Sequence, residues 1–206
     1  LTTKKELTEF VKFPLSLYKN NPYWVPPLIS DEVASFDKTK NPVFDNAEAF
    51  FYGAYNEKGK MVGRVVAIIN QHDLKQNIKK VRFGWLDMVD DIQVTQVLLD
   101  KVAEKAREYQ LEYMEGPIGF SNMDKVGLLT EGYDHLSNMM TWYNYPYYNR
   151  HLEQLGFTKE KGFVEMEFLV KNSKPEIFKK TAEAIKKRYG VKFIDTPTTK
   201  EVLKHV

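Results

Sequence analysis

Hydrophobic positions along the 206-residue chain recur with two different periods, and the switches between them mark its elements. Leu7, Phe10 and Val11 repeat at helical spacing within residues 4–18, where Pro14 is expected to interrupt or restart the helix. Asn20, Asn21 and Pro22 end it. Residues 23–27 (Tyr23, Trp24, Val25, Pro26, Pro27) read as extended, because a proline biases its predecessor away from helical geometry. A short helix is expected near 30–37. Strands at 49–55 and 62–69 flank a polar loop whose Gly59 supplies a positive φ, the pattern of a hairpin. A third strand is expected at 82–89, with the polar stretch 70–80 as a loop before it.

The clearest helix is 92–109, where Val94, Leu98, Val102, Ala106 and Tyr109 share one face. Asp100, Lys101, Glu104, Lys105 and Glu108 lie opposite, and Asp90 or Asp91 suits the N-cap. A short strand at 112–115 ends at Gly116 and Pro117, and residues 116–144 carry no clear period. A helix at 147–155 stops at Gly156. Val164, Met166 and Phe168 alternate with Glu165 and Glu167, predicting a strand over 164–170. A basic amphipathic helix follows at 174–189, with Ile177, Thr181, Ile185 and Tyr189 as its inner stripe, and then a final strand at 191–194.

Composition narrows the function classes. With 43% hydrophobic and 28% charged residues the chain is globular, and no run approaches the roughly 20 apolar residues of a membrane span. The absence of cysteine removes disulfides, thiolate nucleophiles and cysteine-based zinc sites, and is consistent with a cytoplasmic location. A formal charge of +2 gives no argument for nucleic acid. His72, His135, His151 and His205 form no metal-ligand spacing. The first residue is Leu1 and not Met, so the chain is expected to continue upstream.

The order of helices, antiparallel meander, long helix, strand, helix and strand resembles the GNAT-type N-acyltransferases. Two segments carry the resemblance: the strand-to-helix run from Phe83 through Asp87 to Asp91, and the helix from Tyr147 to Leu155 closing on Gly156 and Phe157. Trp24-Val25-Pro26-Pro27 and Gly63-Arg64 are similar to patterns in an uncharacterised bacterial branch of GNAT-like proteins. The resemblance implies an α/β (α+β) fold with a mixed, mostly antiparallel central sheet flanked by helices. It also implies transfer of an acyl group from acetyl-coenzyme A, or another acyl-coenzyme A, to the amine of a small molecule or peptide. In this reading the backbone at Met88 and Val89 holds the pantetheine arm like an added strand. Gln93, Val94 and Thr95 at the helix start face the pyrophosphate, and Asn144 lies near the cleft. Asp87 is the candidate base, and Tyr148 the candidate acid in place of the family's tyrosine, whose position holds Leu152.

The cofactor loop departs from the family pattern. Asp90, Gln93 and Thr95 stand where arginine or glutamine and glycines are usual, and no glycine lies between Trp85 and Tyr109. Asp90 and Asp91 would repel a pyrophosphate, and as structural residues they cap the helix. The competing expectation is therefore a non-catalytic binding or interaction module that keeps the fold without coenzyme A.

Other motifs carry less. Gly119-Phe120-Ser121-Asn122-Met123 lacks the second glycine of a nucleophile elbow and reads as a shaped loop. Asp87, Asp90 and Asp91 match no calcium loop, and no metal is expected. The lysine cluster at 179–188 reads as a solvated helix face. Trp24, Trp85 and Trp142 either line an aromatic pocket or pack in the core. The expected organisation is a domain over 1–170 and a C-terminal extension over 171–206, with 198–206 the start of a further truncated unit.

Overall fold

The computed structural model describes residues 1, 3–121, 124–138, 141–192, 194, 198 and 201. It divides into two compact units, Leu1–Lys161 and Gly162–Val206. Asn122 and Met123 of the expected loop, Phe193 of the expected last strand, and all of 198–206 except Thr198 and Glu201 lie outside the described residues.

The first unit is built on a four-stranded sheet of order β1 (Ala47–Tyr55), β2 (Met61–Asn70), β3 (Lys80–Met88) and β4 (Tyr113–Glu115). The first three strands run antiparallel and β4 joins β3 in parallel, so the sheet is mixed, mostly antiparallel and flanked by helices, as expected. β2 is central and buried along most of its length, and its alternation feeds two cores. Val65, Ala67 and Ile69 pack with α4 (Ile92–Glu108) and α5 (Tyr147–Gln154). Val66 and Ile68 pack with α1 (Lys4–Leu17) and α2 (Ile29–Ser35).

α1 opens with a reciprocal cap. The Glu6 N–H donates to Thr3 Oγ1, and the Thr3 N–H donates to Glu6 Oε2 at 2.9 Å. Pro14 neither breaks nor restarts this helix, which runs through to Leu17. A mid-helix proline leaves the carbonyl four residues earlier without its donor. Here that group is the Phe10 carbonyl, and Arg64 Nη1 donates to it from β2 at 2.8 Å.

The expected loop at 70–80 contains a further helix, α3 (Gln71–Lys75), started by the Asn70 side chain, which accepts from the His72 and Asp73 N–H groups. β3 is irregular: Arg64 pairs with Asp87, but Val66 pairs with Gly84, so Trp85 and Leu86 together oppose Val65. Trp85 adopts φ 47, inside the left-handed region. Beyond Arg82 the chain after β4 follows β3 for one more step, with the Ile118 N–H on the Phe83 carbonyl at 2.8 Å. Gly84 allows this approach, because a Cβ there would run into the Ile118 carbonyl oxygen.

In the second unit, α6 (Pro175–Tyr189) begins with proline in its first turn and ends at Gly190, which takes φ 64. The strand expected at 164–170 does not form: residues 162–169 have no strand partner, and 170–172 make a 3-10 turn. Residues 191, 192 and 194 are likewise not in a strand. Ile177, Thr181, Ile185 and Tyr189, expected to face inward, are exposed.

Candidate functional site

The C-terminal half of β3 is where the expected chemistry converges. Asp87 is buried, and Arg64 Nε and Nη2 grip its Oδ2 at 2.8 and 2.7 Å. Its Oδ1 lies 3.1 Å from the hydroxyls of both Tyr18 and Tyr148, which are 2.8 Å apart. Two hydroxyl protons serve this cluster, shared among Asp87 Oδ1, the Tyr143 carbonyl at 3.2 Å from Tyr18 Oη, and the hydroxyl oxygens themselves. Burial first, then the Asp87 charge, pushes both phenols well above their ordinary value of 10.0. These tyrosines are therefore held protonated as donors. A phenol with a raised pKa is a weaker acid, which runs against the proton-donor role expected of Tyr148.

The expected cofactor residues are engaged internally. The Met88 carbonyl accepts from Tyr147 Oη at 2.6 Å, and the Met88 N–H donates to Tyr148 Oη at 3.4 Å. The Val89 N–H belongs to the sheet, donating to the Val62 carbonyl at 3.0 Å. At the start of α4 the Gln93 N–H donates to Asp91 Oδ1, and the Val94 and Thr95 N–H groups donate to the Asp91 carbonyl. Asp91 is thus the N-cap, the structural role read for the aspartates. Asp90 instead accepts from Arg150 Nη2 at 2.8 Å and lies 3.1 Å from His151 Nε2. Asn144 is spent on the chain itself: its Oδ1 accepts from the Leu129 N–H and its Nδ2 donates to the Leu129 carbonyl, clamping the 116–144 segment. A pantetheine arm would find the Met88 backbone occupied, and a pyrophosphate would meet a capped helix beside the Asp90 carboxylate. The residues present do not fit coenzyme A in the manner the resemblance implies.

Thr95 Oγ1, His151 Nδ1 and Nε2, and Asp90 form a hydroxyl–imidazole–carboxylate chain with spacings of 2.9 and 3.1 Å. It is no nucleophilic triad, because Thr95 is fully buried and no substrate carbonyl can reach its oxygen. It ties α5 to the start of α4.

On the other side of Asp87 lies a cleft lined by Trp24, Trp85, Trp142, Glu32, Lys125 and the Arg64–Asp87 pair. It is a small, partly open crevice with a volume of about 30 Å³. The Trp85 indole N–H donates to Glu32 Oε1, and its ring meets Trp142 edge-on at 5.8 Å. All three tryptophans border this crevice, but Trp85 and Trp142 also pack in the core with Phe36 and Phe120, so both alternatives hold in part. Sequence reasoning missed Tyr18, Glu32, Arg64, Lys125 and His151 as members of these clusters. Arg64 did leave a signal: a lone cation inside an apolar strand calls for a buried partner, and its cross-strand neighbour is Asp87. Ser121 shapes its loop, its N–H donating to Asp124 Oδ2 at 2.9 Å.

Comparison with known proteins adds one sequence relative. The chain is 32% identical over 159 residues, 76% of its length, to Protein YghO of Escherichia coli (strain K12). It spans only 40% of that protein. A solved structure named "Putative acetyl transferase from Pyrococcus furiosus" aligns with a TM-score of 0.45 at 16% identity, over 80% of this chain and 93% of that one. At that level of similarity no functional argument follows. No protein-family model matches the chain. Among the described residues no helix is long and apolar enough to cross a membrane.

Proposed function

We propose that the Leu1–Lys161 unit is a small-molecule-binding domain of acyltransferase-like architecture that works without coenzyme A, its ligand entering the tryptophan-lined cleft. The observation that carries this reading is Trp85. A bulky residue at φ 47 in a β-bulge is strained by about 1–3 kcal/mol, and such strain concentrates at binding sites. The strained residue places its indole at the border of the cleft, with Glu32 on its N–H and Phe36 and Phe120 against its ring. The internal use of the Met88 carbonyl by Tyr147 supports the second half of the reading.

Acyl transfer from acetyl-coenzyme A to an amine is the competing reading. It has one observation in its favour: among the described residues no strand pairs with β3 beyond Arg82 on the β4 side. A thermal unfolding titration separates the two. Millimolar acetyl-coenzyme A is expected to leave the melting temperature unchanged. A saturable rise, with free coenzyme A released once an amine is added, overturns the proposal in favour of acyl transfer.

A further inference from the structure

Two cations, Arg64 and Lys125, and two carboxylates, Asp87 and Glu32, line the tryptophan cleft, and three of the four are held by direct hydrogen bonds. Arg64 is fully committed, to Asp87 through Nε and Nη2 and to the Phe10 carbonyl through Nη1. Asp87 is committed to Arg64 and two phenols. Glu32 accepts from the Trp85 indole. Lys125, half-buried in the cleft wall, makes no side-chain hydrogen bond and no ion pair among the described residues. An ammonium in such a place calls for an anion.

We propose that the cleft binds a compact carboxylate with an aromatic body, the carboxylate seated on Lys125 and the ring lying against Trp85, Trp142 and Trp24. This deepens the binding-domain reading above and rests on it. The crevice is small and partly open, so the carboxylate sits at Lys125 and the ring lies in the open mouth. Indole faces and edges are the surfaces on which an aromatic ring packs best. Burial pushes the Lys125 ammonium below its ordinary value, with Glu32 and Asp87 opposing and Arg64 adding to the depression. An arriving carboxylate offsets that desolvation. A cationic ligand would instead have to sit beside an unpaired lysine.

All 3 tryptophans of the chain line this cleft, so intrinsic tryptophan fluorescence reports on it without labels. The test titrates the full chain with phenylacetate, its neutral isostere phenylacetamide, and phenethylamine, exciting at the red edge of the indole band. Phenylacetate is expected to give a saturable change, with phenylacetamide binding at least about tenfold more weakly. Lys125→Gln should weaken phenylacetate by a similar factor and leave phenylacetamide unaffected. Lys125→Arg, which keeps the charge, should retain most of the affinity and guards against a folding defect in the first variant. Equal binding of acid and amide, or tighter binding of the amine, overturns the carboxylate assignment while the cleft survives as a binding site. Silence from all three probes overturns the assignment too, whatever the acetyl-coenzyme A titration shows.

Discussion

The two ends of β3 each carry a buried charge cluster, and they are built to different standards. At the start of the strand, Asp73, Lys80, Arg82 and Glu115 form a loose network. Two of its contacts are short, Lys80 to Glu115 at 2.8 Å and Arg82 to Asp73 at 3.0 Å, and two are stretched to 3.9 Å. Asp73 Oδ2, Arg82 Nε and Glu115 Oε2 lack well-formed hydrogen bonds. At the end of the strand, three guanidinium nitrogens of Arg64 and both oxygens of Asp87 are engaged. Backbone pairing explains the difference. Lys80–Arg82 is laddered to β4, and Arg82 to β2 as well, so the main chain holds it and the ion pairs need not be well formed. The end of β3 pairs with β2 alone and is bulged. There the Arg64–Asp87–tyrosine cluster takes over, joining α1, β2, β3 and α5 through side chains.

If that contrast is right, removing the cation has unequal effects at the two ends. Arg64→Met leaves Asp87 charged and buried and the Phe10 carbonyl without a donor, and should lower stability by about 3–5 kcal/mol in urea unfolding. The double variant Arg64→Met with Asp87→Leu should recover a large part of the loss. Arg82→Met should lose only about 1–3 kcal/mol, because Lys80 stays on Glu115 and near Asp73. Equal losses at the two ends would break the comparison.

Gly84→Ala tests the boundary between the ends, where the chain after β4 leaves β3. Forcing a Cβ against the Ile118 carbonyl should cost about 1–3 kcal/mol and loosen the segment carrying Lys125, read as faster amide exchange there. Tyr148→Phe removes a donor to Asp87 and an acceptor for the Met88 N–H, for an expected loss of about 1–2 kcal/mol. Tyr147→Phe should be milder still. It frees the Met88 carbonyl, so a coenzyme A response gained only in this variant would identify that bond as what excludes the pantetheine arm.

The smallest effect is in alkali. Tyr18 and Tyr148 ionise in the folded protein only well above 10.0, whereas unfolded tyrosines ionise near 10. Their stabilisation is fully present below about pH 10 and is lost as pH climbs toward the folded values, so unfolding free energy should fall in that range. Tyr18→Phe with Tyr148→Phe should flatten that slope, and an unchanged slope would contradict the assignment.

Much of the first unit was legible because its elements satisfy local rules. The period of Val94, Leu98, Val102 and Ala106 with an aspartate before it specifies α4, found at Ile92–Glu108 with Asp91 as cap. α3 is hard to read because five residues with a single apolar one, Leu74, show no period, and its start rests on the Asn70 side chain. The strand expected at 164–170 failed for the opposite reason. Its alternation is clear, but alternation states only which faces a strand would have, and a strand exists only where a neighbour supplies hydrogen bonds. Asp87 was singled out from its place near the end of a strand. Its binding to Arg64, and the commitment of Met88 and Asn144 to internal bonds, depend on partners from 15 to 60 positions away.

By itself, then, the sequence determined the periodic elements of the first unit, the capped start of α4 and the missing glycines before it, because each is a contest among residues within a turn or two of one another. Tertiary structure alone decided that a proline in α1 would hand a carbonyl to Arg64, and that three distant tryptophans would line one cleft. It also decided that Lys125 would stand in that cleft with no direct ion pair among the described residues. A buried charge or an orphaned carbonyl takes whatever partner the folded chain brings within hydrogen-bond reach, and that reach is spatial, with no fixed spacing in the sequence.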